Sequence, residues 1–503
     1  MLSAFKSAII NIMNNLNIII TFAAYLIFML AVGTHFCKRN ESLSDYLIGG
    51  RQLNKWVTSM SAQASDMSGW LLLGLPGYAY LQGMEAFWIA FGLAGGTYLN
   101  WRFVALRLRR YTEIADDAIT LPDYFANRFE DHNRHLRVLS ALFILVFFLI
   151  YTASGFVAGA KLFESVFGLP YHSSLIIGVV VIISYTALGG FMAVSWTDFF
   201  QGIIMFFAII TVPMLGIHAA GGFTESANAW RNVSPGFLDI FTNGAGDPLT
   251  ITAIISLMAW GIGYFGQPHI LTRFMAVRSP DQLKPARRIA MTWVLVSLTC
   301  AVLVGLIGRI ILPEMLSDAD SEKVFMILVD QLTHPLIGGI LLAAVLAAIM
   351  STADSQLLVT SSALTEDLYR VIIRPQASNK ELVWISRGTV IGVAVLACAI
   401  ALKPNSSVLG LVSYAWAGFG ATFGPLVLMS LYWKRMTRNG AIAGIIGGGI
   451  TVLVWKHLSG GLFDLYEIVP GFIVSVLLII LFSRLDKQPS ETITARFDEA
   501  AKK

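Results

Sequence analysis

Three cysteines in 503 residues leave no material for a disulfide framework or a cysteine-based zinc site. Cys37, Cys300 and Cys398 are odd in number, and each falls in or beside an apolar run. Charge is scarce as well: 13% of the chain is Asp, Glu, Lys or Arg, where a soluble domain carries about 25%. That excludes the roughly three soluble domains that length alone suggests. A net charge of +4 is no nucleic-acid footprint. The N-terminus lacks the charged, apolar and small-residue cleavage pattern of a secretory signal, so the first apolar run is expected to stay. Residues 486–503 form a short tail, too short for a kinase or a ligand-binding domain, which argues against a sensor. No HExxH-type helix or nucleophile–base pair stands out, so an enzyme is not expected.

What is present is apolar: 56% of residues are hydrophobic. Runs of roughly 20 apolar residues, the length that crosses a bilayer, recur near 15–36, 57–80, 83–105, 136–166, 172–191, 194–217, 249–272, 288–312, 335–366, 384–402, 407–432, 439–457 and 464–483. These thirteen spans, numbered in order, predict an all-α polytopic membrane protein with one transmembrane domain over 1–485. With the N-terminus outside, 28 Lys and Arg fall on the inner side and 7 on the outer. That bias predicts an N-out, C-in chain in the cell (inner) membrane, with the bilayer as its first partner.

Span two is the odd one. Its "SMSAQASDMSGW" (59–70) puts Ser, Asp and Gly where a membrane helix carries leucine. A carboxylate at the bilayer centre costs about 2.5–3.5 kcal/mol on insertion scales, so Asp66 is expected to serve a site or to cap freed N–H groups at a break. Span seven, "ISLMAWGIGYFGQPHI", holds Gly261, Gly263, Gly266 and Pro268. If spans two to six and seven to eleven are equivalent halves (about 57–217 and 249–432), the two breaks occupy matching places. Paired breaks of this kind point to a transporter site at an inverted-repeat interface. The plainer alternative for span seven is a proline kink.

An unwound helix offers carbonyl oxygens, which suit a hard cation such as sodium (Na+). On span nine, Ser351 and Thr352 follow Ala348 by one turn, so one face presents a carbonyl and two hydroxyls. Those hydroxyls can equally bond back to their own helix. Read as α-helix, span seven sets Trp260 and Tyr264 on one face, with Pro268 four further on. With Tyr151 and Trp70 they would wall a pocket for a small zwitterion, whose carboxylate a helix N-terminus can receive. A packed aromatic face or an interfacial belt gives the same pattern.

"SAQASDMSGWLLLGLPG", "AITLPDYFANRFED", "GGFMAVSWTDFFQG", "GYFGQPHILTRFMA" and "VSYAWAGFGATFGP" together resemble the sodium/solute symporter family over about residues 17–485. The resemblance implies a leucine-transporter-like fold with a five-plus-five inverted repeat and sodium-coupled symport of a small solute. L-proline is the solute expected, with pantothenate or another amino acid as the alternative. It implies sodium ligands at the carbonyls of Ala64, Met67 and Ala348 and the hydroxyls of Ser351 and Thr352. Asp66 and Asp198 would organise or couple that site, and a further cation site near Asp198 and Asp354 stays open. Tyr151, Trp260, Tyr264 and Pro268 fall on solute-binding positions, with Ser68, Gly69 and Trp70 as additional candidates. Arg51 matches a position linked to coupling; an ordinary positive-inside arginine is the other reading of it.

Overall fold

Hydrocarbon offers no water to backbone amides, so apolar runs of this length become helices, which pair their amides internally. The computed structural model describes residues 2–37, 43–186, 190–404 and 406–502. Among the described residues there is no strand, only two isolated bridges. Nine helices there are long and apolar enough to cross a membrane: Leu16–Phe36, His135–Phe167, Phe191–Ala219, Pro280–Ile311, Pro335–Ile373, Glu381–Ile400, Val408–Tyr432, Arg438–Trp455 and Ile468–Leu485. Two shorter apolar helices, Tyr171–Ser184 and Ile251–Gly266, stand where spans five and seven are expected. The expected end of span five falls on 187–189, outside the described residues, as does the basic pair Lys38 and Arg39. Cys300 and Cys398 are half-buried free thiols.

Spans two, three and seven are helical in pieces. Span two runs as Lys55–Asp66, then a wide π turn Trp70–Gly74, then Leu75–Gln82. Span three has a π turn at Asn100–Val104 between Ala86–Leu99 and Ala105–Ile114. Span seven narrows to a 3-10 helix over Ala259–Gly266 between Ile251–Met258 and Pro268–Met275.

Span nine is the central pillar. Residues 341–358 are all buried, and the helix lies against spans one, four, six and ten and the first half of span two. The 3-10 stretch of span seven packs between spans three and eleven. Spans one and thirteen are peripheral, with only 17% and 28% of their apolar windows buried.

At the end of the bundle richest in Lys and Arg, the start of span two meets the finish of span seven. Leu53 N donates to Ala276 O (3.2 Å) and Arg278 N to Leu53 O (3.0 Å). The tail is ordered there as helix Glu491–Ala501. Arg496 makes two bonds to Asp116 (3.0 and 2.8 Å), and Phe497 sits 6.3 Å from the Tyr111 ring.

Spans three and seven touch backbone to backbone through a small-residue pair, Gly92 and Gly96. A Cβ on Gly96 would lie 2.0 Å from Gly261 O, and one on Gly92 would lie 2.3 Å from Met258 O. Small residues four apart permit such close approach between membrane helices. Gly95, beside them, has nothing within 4 Å of its Cβ position. Gly96→Val is therefore expected to cost at least the about 1–3 kcal/mol of overpacking. Thermal unfolding of the detergent-purified protein should show a clear drop for Gly96→Val and almost none for Gly95→Val.

Candidate functional site

The break in span two follows from one displaced hydrogen bond. Asn54 caps the helix start by accepting from Trp56 N and Val57 N. The ladder then holds as far as Met67 N to Gln63 O (2.8 Å). Met67, with ψ at 75°, leaves helical geometry, and Ser68 N turns to Asp66 O (3.0 Å). Ala64 O thereby loses the donor that a continuous helix would give it. Gly69 lets the chain pass span four, since a Cβ there would come within 2.8 Å of the Ala158 Cβ.

Span nine fills the gap. Ser351 Oγ donates to Ala64 O (2.7 Å), and Thr352 Oγ1 stands 3.4 Å from the same oxygen. Ser351 Oγ is also 3.2 Å from Ala348 O. Ala64, Ala348, Ser351 and Thr352 are thus brought together in a fully interior cluster of neutral oxygens, with Met67 at the break beside them. Ser351 thus bonds both to its own helix and across to span two. A hard cation entering here would find carbonyls already aimed inward and hydroxyl lone pairs freed by rotation of the O–H.

Asp66 joins the two broken spans. Its backbone oxygen accepts from Trp70 Nε1 (3.1 Å) and Tyr151 OH (3.2 Å). Its carboxylate Oδ2 accepts from Tyr264 OH (2.6 Å), while Oδ1 is buried with no partner among the described residues. Ser68 Oγ lies 3.4 Å from Trp70 N. Three aromatic candidates therefore converge on one aspartate from three separate segments.

The shared face expected of Trp260 and Tyr264 is not found. That spacing assumed 3.6 residues per turn, but the segment is a 3-10 helix with three, so residues four apart diverge. Trp260 faces Trp70 and Tyr466, with ring centroids at 6.5 and 5.7 Å. Tyr264 meets Trp416 edge-on at 5.0 Å. Trp416 Nε1 donates to Trp260 O (2.7 Å), supporting an unwound carbonyl. Gln267 is extended, and Pro268 opens the next helix at its first position, where its missing N–H costs nothing.

The sequence gives no role to His269, Trp416 or Tyr466. His269 is buried beside the Tyr151 ring (6.0 Å), and neither ring nitrogen has a partner among the described residues. Only the "GYFGQPHI" and "VSYAWAG" strings mark His269 and Trp416 at all.

Asp198 lies one layer below. It is fully buried and paired with an equally buried Arg273 (3.1 Å). Arg273 has no exposed surface. Ser61 and Ser65 also reach Asp198 Oδ2 (2.7 and 3.1 Å). Arg51 sits outside this cluster at the basic end. It donates to Asp117 Oδ1 (2.9 Å), Met275 O (2.6 Å) and Ala118 O (3.0 Å), tying span two to span seven and to the loop after span three. At the opposite end Lys161 pairs with Glu322 (2.5 Å), which accepts from Val408 N and Leu409 N (both 3.0 Å) at the start of span eleven.

The facing breaks of spans two and seven, an interior set of neutral oxygens and an aromatic-lined centre define a membrane transporter of the broken-helix class. The chain belongs to the sodium:solute symporter family, whose model matches residues 46–448. It is 51% identical over 487 residues to the sodium/proline symporter of Salmonella typhimurium, covering 96% of each chain. It is 49% identical over 473 residues to the high-affinity proline transporter PutP of Bacillus subtilis, covering 94% of this chain and 98% of that one. A solved Na+-coupled sialic acid symporter, substrate-bound and outward-open, superposes with a TM-score of 0.78 at 19% identity, over 94% of this chain and 99% of that one. A nucleobase-cation-symport-1 family transporter in a closed conformation gives 0.56 at 12% identity, over 91% and 99%. The fold is thus of the leucine-transporter type, and the protein is a multi-pass transporter rather than an enzyme.

If the oxygen cluster holds the ion, losing both hydroxyls removes two of its ligands, each contact to a charge being worth about 1.5–3 kcal/mol. Ser351→Ala with Thr352→Ala is expected to raise the sodium concentration for half-maximal uptake at least tenfold. An unchanged sodium titration would reject these residues as ligands.

Proposed function

We propose that this protein couples the inward movement of sodium to uptake of L-proline by alternating access. One observation carries the reading: Asp66 and its neighbouring carbonyl Ala64 O connect the first broken span to the second broken span and to span nine at once. An ion seated at Ala64, Met67, Ala348, Ser351 and Thr352 would fix the geometry of span two. Through Asp66 it would also fix the positions of Tyr264, Tyr151 and Trp70. The names of the curated relatives support proline as the solute, and Tyr151, Trp260, Tyr264 and Pro268 would wall its pocket. The Ser68 hydroxyl and the Gly69 backbone N–H would serve the carboxylate, and the unpaired Asp66 Oδ1 would receive the secondary ammonium.

The topology proposed is thirteen spans, N-out and C-in, in the inner membrane, with inverted repeats over about 57–217 and 249–432. The basic end is then cytoplasmic. Arg51 holds the inner ends of the two broken spans together while the site is loaded from outside. The bundle then rocks, the Arg51 contacts part, and both cargoes leave inward. Each inward charge gains about 2.3 kcal/mol per 100 mV, a roughly fiftyfold accumulation at one ion per solute. Because linkage is reciprocal, sodium must tighten proline binding by the same factor by which proline tightens sodium.

Uptake of labelled proline into proteoliposomes, with and without an inward sodium gradient and against a panel of competitors, tests this. The expected result is gradient-dependent proline uptake that pantothenate and other amino acids fail to displace. Uptake indifferent to sodium would overturn the coupling; displacement by another solute at lower concentration would overturn proline. Asp66→Asn keeps the shape but not the charge and is expected to cut sodium-driven uptake by at least tenfold. Near-normal sodium dependence in that variant would remove Asp66 from the site.

A further inference from the structure

The Asp198 carboxylate looks, from sequence, like half of a second cation site. The structure fills it from within. Arg273 reaches it from the helix Pro268–Met275 of span seven, with no exposed side-chain surface. Its Nη2 donates to Asp198 Oδ2 (3.1 Å) and to Ser355 Oγ (2.5 Å), its Nε to Ser61 Oγ (3.1 Å) and its Nη1 to His269 O (2.9 Å). The Phe191 ring lies over the guanidinium at 5.1 Å. Ser355 Oγ in turn is 2.9 Å from Ser65 Oγ. Spans two, six, seven and nine thus all present oxygen to one fixed positive group.

These oxygens have the composition of a sodium shell: one carboxylate, three serine hydroxyls and a carbonyl. Ser355 is one helical turn below Ser351 on the same face of span nine, so this shell abuts the Ala64 oxygen cluster. Buried charge must be paired, and a guanidinium that cannot be deprotonated is a permanent partner. Asp198 Oδ1 has no partner among the described residues, so an anionic oxygen stays available if the guanidinium is withdrawn. Asp354, next to Ser355, is buried within electrostatic reach of Arg273.

We infer that Arg273 is the resident cation of the Asp198 pocket, holding the place of a second sodium, so that one sodium accompanies each solute. The Asp198–Arg273 pair stays neutral as a unit and clamps the second broken span to span six. This rests on the proposed sodium coupling, but its readouts separate the two. The functional reading fails if sodium moves no solute. The inference on Arg273 fails if coupling holds with a different ion count.

Two measurements decide it. Charge moved per labelled solute in voltage-clamped proteoliposomes is expected to be about one for the wild type; about two would overturn the inference. Sodium-induced change in intrinsic tryptophan fluorescence of the purified protein, without solute, is expected to follow a Hill slope of about 1. In Arg273→Gln the slope should rise towards about 2, and in the pair Arg273→Gln with Asp198→Asn it should return to about 1. Arg273→Lys keeps the charge and should keep the wild-type slope. A folded Arg273→Gln whose slope stays at the wild-type value would overturn the inference; should that variant fail to fold, the wild-type charge ratio decides.

Discussion

A carbonyl without a donor in the membrane interior costs several kcal/mol, and this molecule is organised around one that its own helix leaves unpaired. When Ser68 N turns to Asp66 O instead of Ala64 O, the first helix of span two ends and an acceptor is released. The hydroxyls of Ser351 and Thr352 answer it from span nine. A polar break of this kind survives only because the buried pillar of span nine lies against it. The same carbonyl is therefore both the weak point of a helix and the start of the proposed cation site.

From that break the two irregular spans are joined at three depths. Asp66 and Tyr264 meet at the centre, Ser61 and Arg273 below, and Leu53 pairs with Ala276 and Arg278 at the basic end. Only the middle contact touches the proposed solute pocket. Access from the basic end requires the lowest contacts to part, and they are backbone bonds reinforced by Arg51. A change in the geometry of Asp66 thus has a direct mechanical route to the gate, through the 3-10 stretch of span seven. In the proposed cycle Lys161 and Glu322 would supply the corresponding closure at the opposite end.

Much of this was legible in the chain because local composition carries local physics. Ser, Asp and Gly replacing Leu between 59 and 70 announces a break, and the spacing of Ala348, Ser351 and Thr352 announces an oxygen-bearing face. The common face of Trp260 and Tyr264 was misread, because a 3-10 helix has a different period and nothing in "AWGIGYFG" declares it. The interior place of Arg273 is not legible, because its partners lie far away in sequence: Asp198 by 75 residues, Ser355 by 82 and Ser61 by 212. The places of His269 and Tyr466 are hidden for the same reason, as is the docking of the tail helix on Asp116 and Tyr111. Long-range polar contacts leave no periodic trace in a sequence.

The most direct measurement is an experimental density map of the protein in lipid with sodium and proline at saturating concentration. It should show an ion enclosed by the oxygens of Ala64, Ala348, Ser351 and Thr352, with Asp66 bridging to Tyr264 beside the solute. A map in which Ser68 N bonds to Ala64 O, the helix runs unbroken through 64–70 and no ion lies between spans two and nine would contradict it.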